Sequence, residues 1–132
     1  MKRKVLIVED ECLLRLVIKR TLMKCTLDIE EIYEAGNGTE GLECLEKCAV
    51  DLILTDINMP VMDGITMLNH IYANPLFKEI PIVVISAIND QQRIEEFSGR
   101  GLGFLSKPFT LQQLEEEIYK LDKVTNEYGL LG

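Results

Sequence analysis

Apolar residues along the chain fall into short runs, and three of these runs predict strands buried on both faces. Residues 5–8, 52–55 and 82–85 are rich in Val, Ile and Leu and are bounded by polar or turn-forming positions. A short, almost continuously apolar run is typical of a central strand in a parallel sheet. Residues 30–34 predict a weaker strand, whose polar character indicates a sheet edge, and residues 104–106 predict a fifth strand.

The segments between the strands carry apolar residues at the spacing of amphipathic helices. Helices are predicted for residues 12–24, 39–47, 64–73, 90–98 and 111–123, with Asp63 and Thr110 as caps of the third and fifth. Residues 125–132 have no clear period and predict a tail. The first helix is expected to bury Leu14, Val17, Ile18 and Leu22, and the fourth to pack through Ile94 and Phe97.

Strands and helices alternate five times, which predicts an α/β fold of the (βα)5 type. Apolar strands joined by helical crossovers form a doubly wound parallel five-stranded sheet, with helices on both faces. The crossovers are expected to be right-handed. In open sheets of this kind, ligands bind at the carboxyl ends of the strands. The residues at those ends are therefore the candidates for chemistry.

Composition narrows the classes of protein that fit. The chain has 132 residues, with 22 acidic and 14 basic side chains and a formal net charge of −8. This acidity argues against broad nucleic-acid binding. The longest apolar runs fall far short of the ~20 residues that span a bilayer, and the basic start of the chain lacks a signal-peptide core. We expect a cytoplasmic protein without membrane contact, whose four cysteines are free thiols.

The positive charges are concentrated near the start of the chain. Residues 1–28 carry seven basic and four acidic groups. Four of the basic ones share the first predicted helix: Arg15, Lys19, Arg20 and Lys24. Two interpretations stay open, a solvated helix face and a docking surface for an acidic partner.

The strand ends carry carboxylates, a hydroxyl and a lysine. Glu9 and Asp10 follow the first strand, Asp56 the third, Ser86 the fourth and Lys107 the fifth. Three carboxylates in one crevice repel each other unless cations join them. Lys107 offsets one charge, and hard oxygen ligands select Mg²⁺ or Mn²⁺ for the rest. A carboxylate can also attack phosphorus to form an aspartyl phosphate, with metal, ammonium and hydroxyl groups holding the phosphoryl oxygens.

Four segments of the sequence resemble the receiver domain of bacterial response regulators, the CheY-like family. They are residues 5–10, 51–64, 81–87 and 107–109, and the resemblance covers about residues 3–122. Each piece alone is weak, but their order and spacing are specific. The resemblance implies the flavodoxin-like strand order 2-1-3-4-5, with residues 123–132 as a short C-terminal tail.

The resemblance also implies residue roles. Asp56 is expected to be the phosphoacceptor, and Lys107 the phosphate-contacting lysine. Ser86 and Phe104 are expected to form the switch that moves the face made by the fourth helix, fifth strand and fifth helix. Mg²⁺ or Mn²⁺ is expected at Glu9, Asp10, Asp56 and the backbone carbonyl of Asn58, and a cis bond is expected before Pro108.

The implied partners are a sensor histidine kinase or phosphotransfer protein as donor, and a downstream protein target or an output domain. Such a domain is not an enzyme, although it assists its own phosphorylation and dephosphorylation. Glu9 stands where many relatives have aspartate, and Phe104 lacks a tyrosine hydroxyl. Neither Asn58 nor Ile88 can act as a base toward water, which predicts slow spontaneous dephosphorylation.

Three other functions compete with this one. An Asp-nucleophile phosphatase of the haloacid dehalogenase type needs a second aspartate two residues after the first, and Asp10 is followed by Glu11 and Cys12. A flavodoxin needs a hydroxyl-rich phosphate loop after the first strand, where this chain is acidic. A receiver-like scaffold that signals without phosphate remains an alternative. The sequence leaves open whether the chain acts alone or within a longer regulator.

Overall fold

A computed structural model of the chain describes residues 2–87 and 91–128, with the backbone alone for residues 122–128. Five strands and five helices alternate along it, as the sequence predicts. The strands are β1 (Arg3–Val8), β2 (Ile29–Ala35), β3 (Leu52–Thr55), β4 (Ile82–Ser86) and β5 (Gly103–Ser106). The helices are α1 (Cys12–Lys24), α2 (Gly38–Lys47), α3 (Gly64–Ala73), α4 (Gln91–Gly99) and α5 (Leu111–Tyr128).

The strands form one parallel sheet in the order β2-β1-β3-β4-β5, which confirms the expected fold. The polar strand β2 lies at an edge, as its composition indicates. Successive side chains of the central strands point to opposite faces. On one face they pack against α2, α3 and α4, and on the other against α1 and α5. Because both faces are covered, the central runs are apolar at nearly every position.

Three helix starts are fixed by side-chain caps. The Asp63 carboxylate accepts a hydrogen bond from the Thr66 amide at 2.8 Å, and this bond lowers the pKa of Asp63. The Thr110 hydroxyl accepts from the Gln113 amide at 3.1 Å, and the Gln113 side chain accepts from the Thr110 amide at 2.9 Å. Both predicted caps are therefore confirmed. Asn37 caps α2 in the same way.

Two expectations about helices are wrong. Val17 is 53% exposed, because α1 is rotated so that Ile18 and Leu22 face the sheet. Helix α5 continues to Tyr128 rather than ending near residue 123.

No helix among the described residues is long and apolar enough to cross a membrane.

The loop from β3 to α3 is closed tightly on itself. The Gly64 amide donates to the Ile57 carbonyl at 2.8 Å, and the Gly38 amide donates to the Met62 carbonyl at 3.0 Å. Val61 occupies the left-handed region with φ of 66° and is 85% exposed. A Cβ at Gly64 would collide with the Asp56 carbonyl oxygen. A glycine is therefore required where α3 begins.

Replacing Gly64 with Ala is expected to lower the free energy of unfolding by about 2 kcal/mol, because the new carbon overpacks the loop. It would lie 2.8 Å from the Ile57 Cα. Urea unfolding followed by circular dichroism measures the change. Gly99→Ala is the control, since nothing lies within 4 Å of an added carbon there. Equal losses in the two variants would contradict the steric explanation.

Candidate functional site

The carboxyl ends of β1, β3, β4 and β5 bring the predicted site residues to one edge of the sheet. Val8 pairs with Thr55, Thr55 with Val84, and Ser86 with Ser106. The residues that follow these strands therefore share one crevice.

Lys107 joins two of the three carboxylates. Its Nζ lies 2.9 Å from the Asp56 Oδ2 and 3.0 Å from the Glu9 Oε1. The peptide bond between Lys107 and Pro108 is cis, as the resemblance implies. Burial works against the charged ammonium, but the hydrogen bonds to Asp56 and Glu9 outweigh it and raise the pKa of Lys107. The lysine is therefore held as a cation between two buried anions.

Glu9 is almost fully buried, with 1% of its surface exposed. Its Oε2 accepts a hydrogen bond from the Glu11 amide at 3.0 Å, while its Oε1 accepts from Lys107. Burial raises the pKa of Glu9, and these two hydrogen bonds oppose that rise. The longer side chain of a glutamate thus reaches the site that the sequence predicts for it.

Asp56 is held by backbone groups of neighbouring residues and by Lys107. Its amide donates to the Val8 carbonyl at 3.0 Å, and its Oδ1 accepts from the Ile57 amide at 2.6 Å. The Thr55 hydroxyl donates to the Asp56 carbonyl at 2.8 Å. The residue is 8% exposed, so a nearly buried carboxylate with fixed hydrogen bonds lies at the strand end.

The three carboxylates suit a hard divalent cation. One oxygen each from Glu9, Asp10 and Asp56 lies within 4.8 Å of the others, and Asp10 is not buried. Oxygen donors of this kind are the ligands that Mg²⁺ and Mn²⁺ prefer. Asn58 is exposed in the loop two residues after Asp56. The metal role of its backbone carbonyl stays a prediction.

Ser86 and Phe104 lie on neighbouring strands. Ser86 is fully buried at the end of β4, and Phe104 is partly buried in β5. The Phe104 ring stacks on Phe97 of α4, with centroids 6.3 Å apart and planes inclined by 17°. The sequence predicts Phe97 only as a core residue. Two aromatic residues on adjoining elements were the available signal. Ile88, which has no group that could activate water, lies outside the described residues.

Two of the four basic residues on α1 share one carboxylate within the chain. Arg15 and Lys19 each contact Glu34 of β2 at 3.2 Å. Arg20 and Lys24 are exposed. The sequence does not reveal the role of Glu34, because it lies on a different element from the cations.

A family model described as the response regulator receiver domain matches residues 5–119. The chain therefore belongs to the receiver domains of response regulators, the class of two-component signalling proteins that the strand-end chemistry indicates. Its relatives include chemotaxis proteins of the CheY type.

The chemotaxis relatives match along most of their length. CheY-3 of Vibrio cholerae is 37% identical over 122 residues, which are 92% of this chain and 90% of that protein. CheY of Pseudomonas aeruginosa is 36% identical over 124 residues, covering 93% and 98%. The structure of CheY4 of Vibrio cholerae superimposes with a TM-score of 0.77 at 28% identity, covering 92% of this chain and 99% of that one.

A similar domain also occurs within longer enzymes. The protein-glutamate methylesterase/protein-glutamine glutaminase of Methanococcoides burtonii is 35% identical over 130 residues, which are 96% of this chain but 36% of that protein. The match thus covers about a third of that enzyme.

Replacing Lys107 with Gln is expected to lower the free energy of unfolding of the metal-free protein by about 3 kcal/mol, because two buried carboxylates lose their counter-charge. Chemical unfolding in a chelator at neutral pH measures the change. The control is Lys120→Gln, which removes a surface cation 3.6 Å from Glu117. That control is expected to cost less than about 1 kcal/mol. Similar losses in both variants would argue against the counter-charge role.

Proposed function

We propose that this chain is the phosphoacceptor receiver of a two-component phosphorelay, with Asp56 as the acceptor. The observation that carries the proposal is the Asp56 carboxylate, fixed 2.9 Å from the Lys107 ammonium and grouped with Glu9 and Asp10. The proposed receiver domain spans residues 3–122. The domain signals and is not itself an enzyme.

In the proposed reaction, a carboxylate oxygen of Asp56 attacks the phosphorus of a phosphohistidine on a kinase or phosphotransfer protein. A phosphorus–oxygen bond forms and the phosphorus–nitrogen bond breaks, which leaves an aspartyl phosphate and a free imidazole. Lys107 holds a positive charge beside the attacked phosphoryl group. Glu9, Asp10, Asp56 and the Asn58 carbonyl would hold Mg²⁺ or Mn²⁺, which when bound supplies positive charge to the phosphoryl oxygens.

Phosphorylation adds about −1.5 to −2 charge at the end of β3 and new acceptor oxygens. We propose that the Ser86 hydroxyl moves toward these oxygens and that the Phe104 ring responds. Two features support a switch here. Ser86 is buried on the strand beside Phe104, and the Phe104 ring contacts α4 through Phe97. Movement of the ring would change the surface of α4, β5 and α5, where a downstream protein target or an output domain would bind.

The donor is proposed to dock on α1, next to the acceptor. Leu13, Leu16 and Val17 are 80%, 39% and 53% exposed and form an apolar stripe. Arg20 and Lys24 extend it with positive charge. This surface would suit a helical partner with an apolar face and acidic flanks.

We also propose that the domain works in the cytoplasm, without direct nucleic-acid or membrane contact. The net charge of −8 argues against contact with nucleic acid. Cys12, Cys25, Cys44 and Cys48 are free thiols, which suits a reducing compartment.

Incubation with acetyl phosphate and Mg²⁺ is expected to add one phosphoryl group to the protein and none to Asp56→Asn. Intact-protein mass spectrometry measures the addition. Asp51→Asn is the matched control, because Asp51 is exposed and its carboxylate contacts the Lys4 amide, away from the crevice. Undiminished labelling of Asp56→Asn would reject the assignment. Absence of labelling in the unaltered protein would favour a scaffold that signals without phosphate.

The phosphorylated protein is expected to lose its phosphoryl group slowly. Asn58 has no basic group that could activate water. Decay of the labelled protein after removal of acetyl phosphate gives the lifetime. A lifetime at neutral pH of about one second or less would contradict this expectation.

A further inference from the structure

Arg15 connects three elements at the acidic end of β1. From its place on α1, its Nη1 donates to the main-chain carbonyl of Glu9 at 2.7 Å. Its Nε donates to the Glu34 carboxylate on β2 at 3.2 Å, and its Nη2 lies 3.7 Å from the Cys12 sulfur. The side chain is 20% exposed. The Arg15 side chain therefore bonds directly to the backbone of the segment that carries Glu9 and Asp10.

That carbonyl belongs to the peptide unit between Glu9 and Asp10. The Glu9 amide still bonds to the Ala35 carbonyl at 3.0 Å, in continuation of the pairing between β1 and β2. The Glu9 side chain is held by Lys107 and by the Glu11 amide. The contact with Arg15 fixes the other side of the residue, the peptide plane from which Asp10 follows.

We propose that Arg15, oriented by Glu34, is a positioning residue for the metal site formed by Glu9, Asp10 and Asp56. This inference rests on the proposed function, because it takes the three carboxylates as that site. Among its described contacts, Arg15 reaches no carboxylate oxygen of the site, and it acts by holding the peptide of Glu9. Groups that orient ligands in this way affect metal affinity strongly.

The positive charge of Arg15 and its hydrogen bond to the Glu9 carbonyl are expected to have opposite effects on Mg²⁺ affinity. A guanidinium near a cation site repels the cation, so removal of its charge alone should tighten Mg²⁺ binding. Loss of the hydrogen bond to the Glu9 carbonyl should instead weaken binding, because Asp10 is less well placed. The direction of the change therefore distinguishes the two effects.

Lys19 is the matched control. It contacts the same Glu34 carboxylate at the same 3.2 Å from the same helix. Among the described contacts of Lys19, none reaches the Glu9 backbone. Lys19→Gln removes one positive charge and one contact with Glu34, as Arg15→Gln does, but it leaves the Glu9 carbonyl bond in place.

The experiment is calorimetric titration of Mg²⁺ into the unphosphorylated full chain and three variants. Arg15→Gln is expected to raise the Mg²⁺ dissociation constant by about tenfold. Arg15→Lys is expected to raise it also, because one ammonium keeps the charge but cannot reproduce two arms of the guanidinium. Lys19→Gln is expected to leave it unchanged or slightly lower. Thermal unfolding in a chelator verifies that each variant is folded.

Unchanged or tighter Mg²⁺ binding by Arg15→Gln would overturn the inference, as would equal weakening in Arg15→Gln and Lys19→Gln. Lower stability of the Arg15 variants with an unchanged dissociation constant would show a merely structural role and also overturn it. The unaltered protein separates this failure from that of the proposed metal site. If it binds Mg²⁺ and is labelled at Asp56, only the role of Arg15 has failed. If it binds no Mg²⁺, both have failed.

Discussion

The ammonium of Lys107, shared between the carboxylates of Glu9 and Asp56, is the interaction on which the site depends. Both carboxylates lie at the ends of buried strands, where unpaired negative charge is costly. The lysine joins β5 to the two strands at the centre of the sheet. The third carboxylate of the group, Asp10, lies outside these two salt bridges. One ammonium group therefore stabilises two carboxylates that would otherwise repel each other in the folded protein.

Burial of the sheet on both faces determines where that crevice can form. Helices α1 and α5 cover one face of the sheet, and α2, α3 and α4 cover the other. The polar side chains of a binding site therefore lie at the ends of the strands. The parallel arrangement puts all the carboxyl ends on the same side. The loop after Asp56 is closed by the hydrogen bond between the Gly64 amide and the Ile57 carbonyl, which fixes the chain that follows the Asp56 carboxylate.

Much of this arrangement could be predicted from the sequence. The apolar runs predict the buried strands, and topology then brings Asp56 and Lys107 together although 51 positions separate them. What could not be predicted depends on helix rotation and on contacts between elements. Val17 carries an apolar side chain outward, and the orientation of α1 decides this. The contact of Arg15 with the Glu9 carbonyl has the same origin.

The sequence does not predict the end of α5 or the stack of Phe97 on Phe104, for different reasons. Only Val124 and Tyr128 are apolar within residues 122–128, and the segment includes Thr and Asn, which have low helix propensity. Their backbone nevertheless continues the helix. The aromatic stack joins α4 to β5, and periodicity within one element carries no information about such a pair.

The backbone of Val61 has a consequence for how this sequence can diverge. A branched residue held at a φ of 66° costs the folded state on the order of 1 kcal/mol, and the exposed side chain offers little packing in return. The shape of the turn, rather than the Val61 side chain, thus limits which residues fit at this position. Glycine or asparagine would adopt the same backbone with less strain, a few residues from the carboxylate of Asp56.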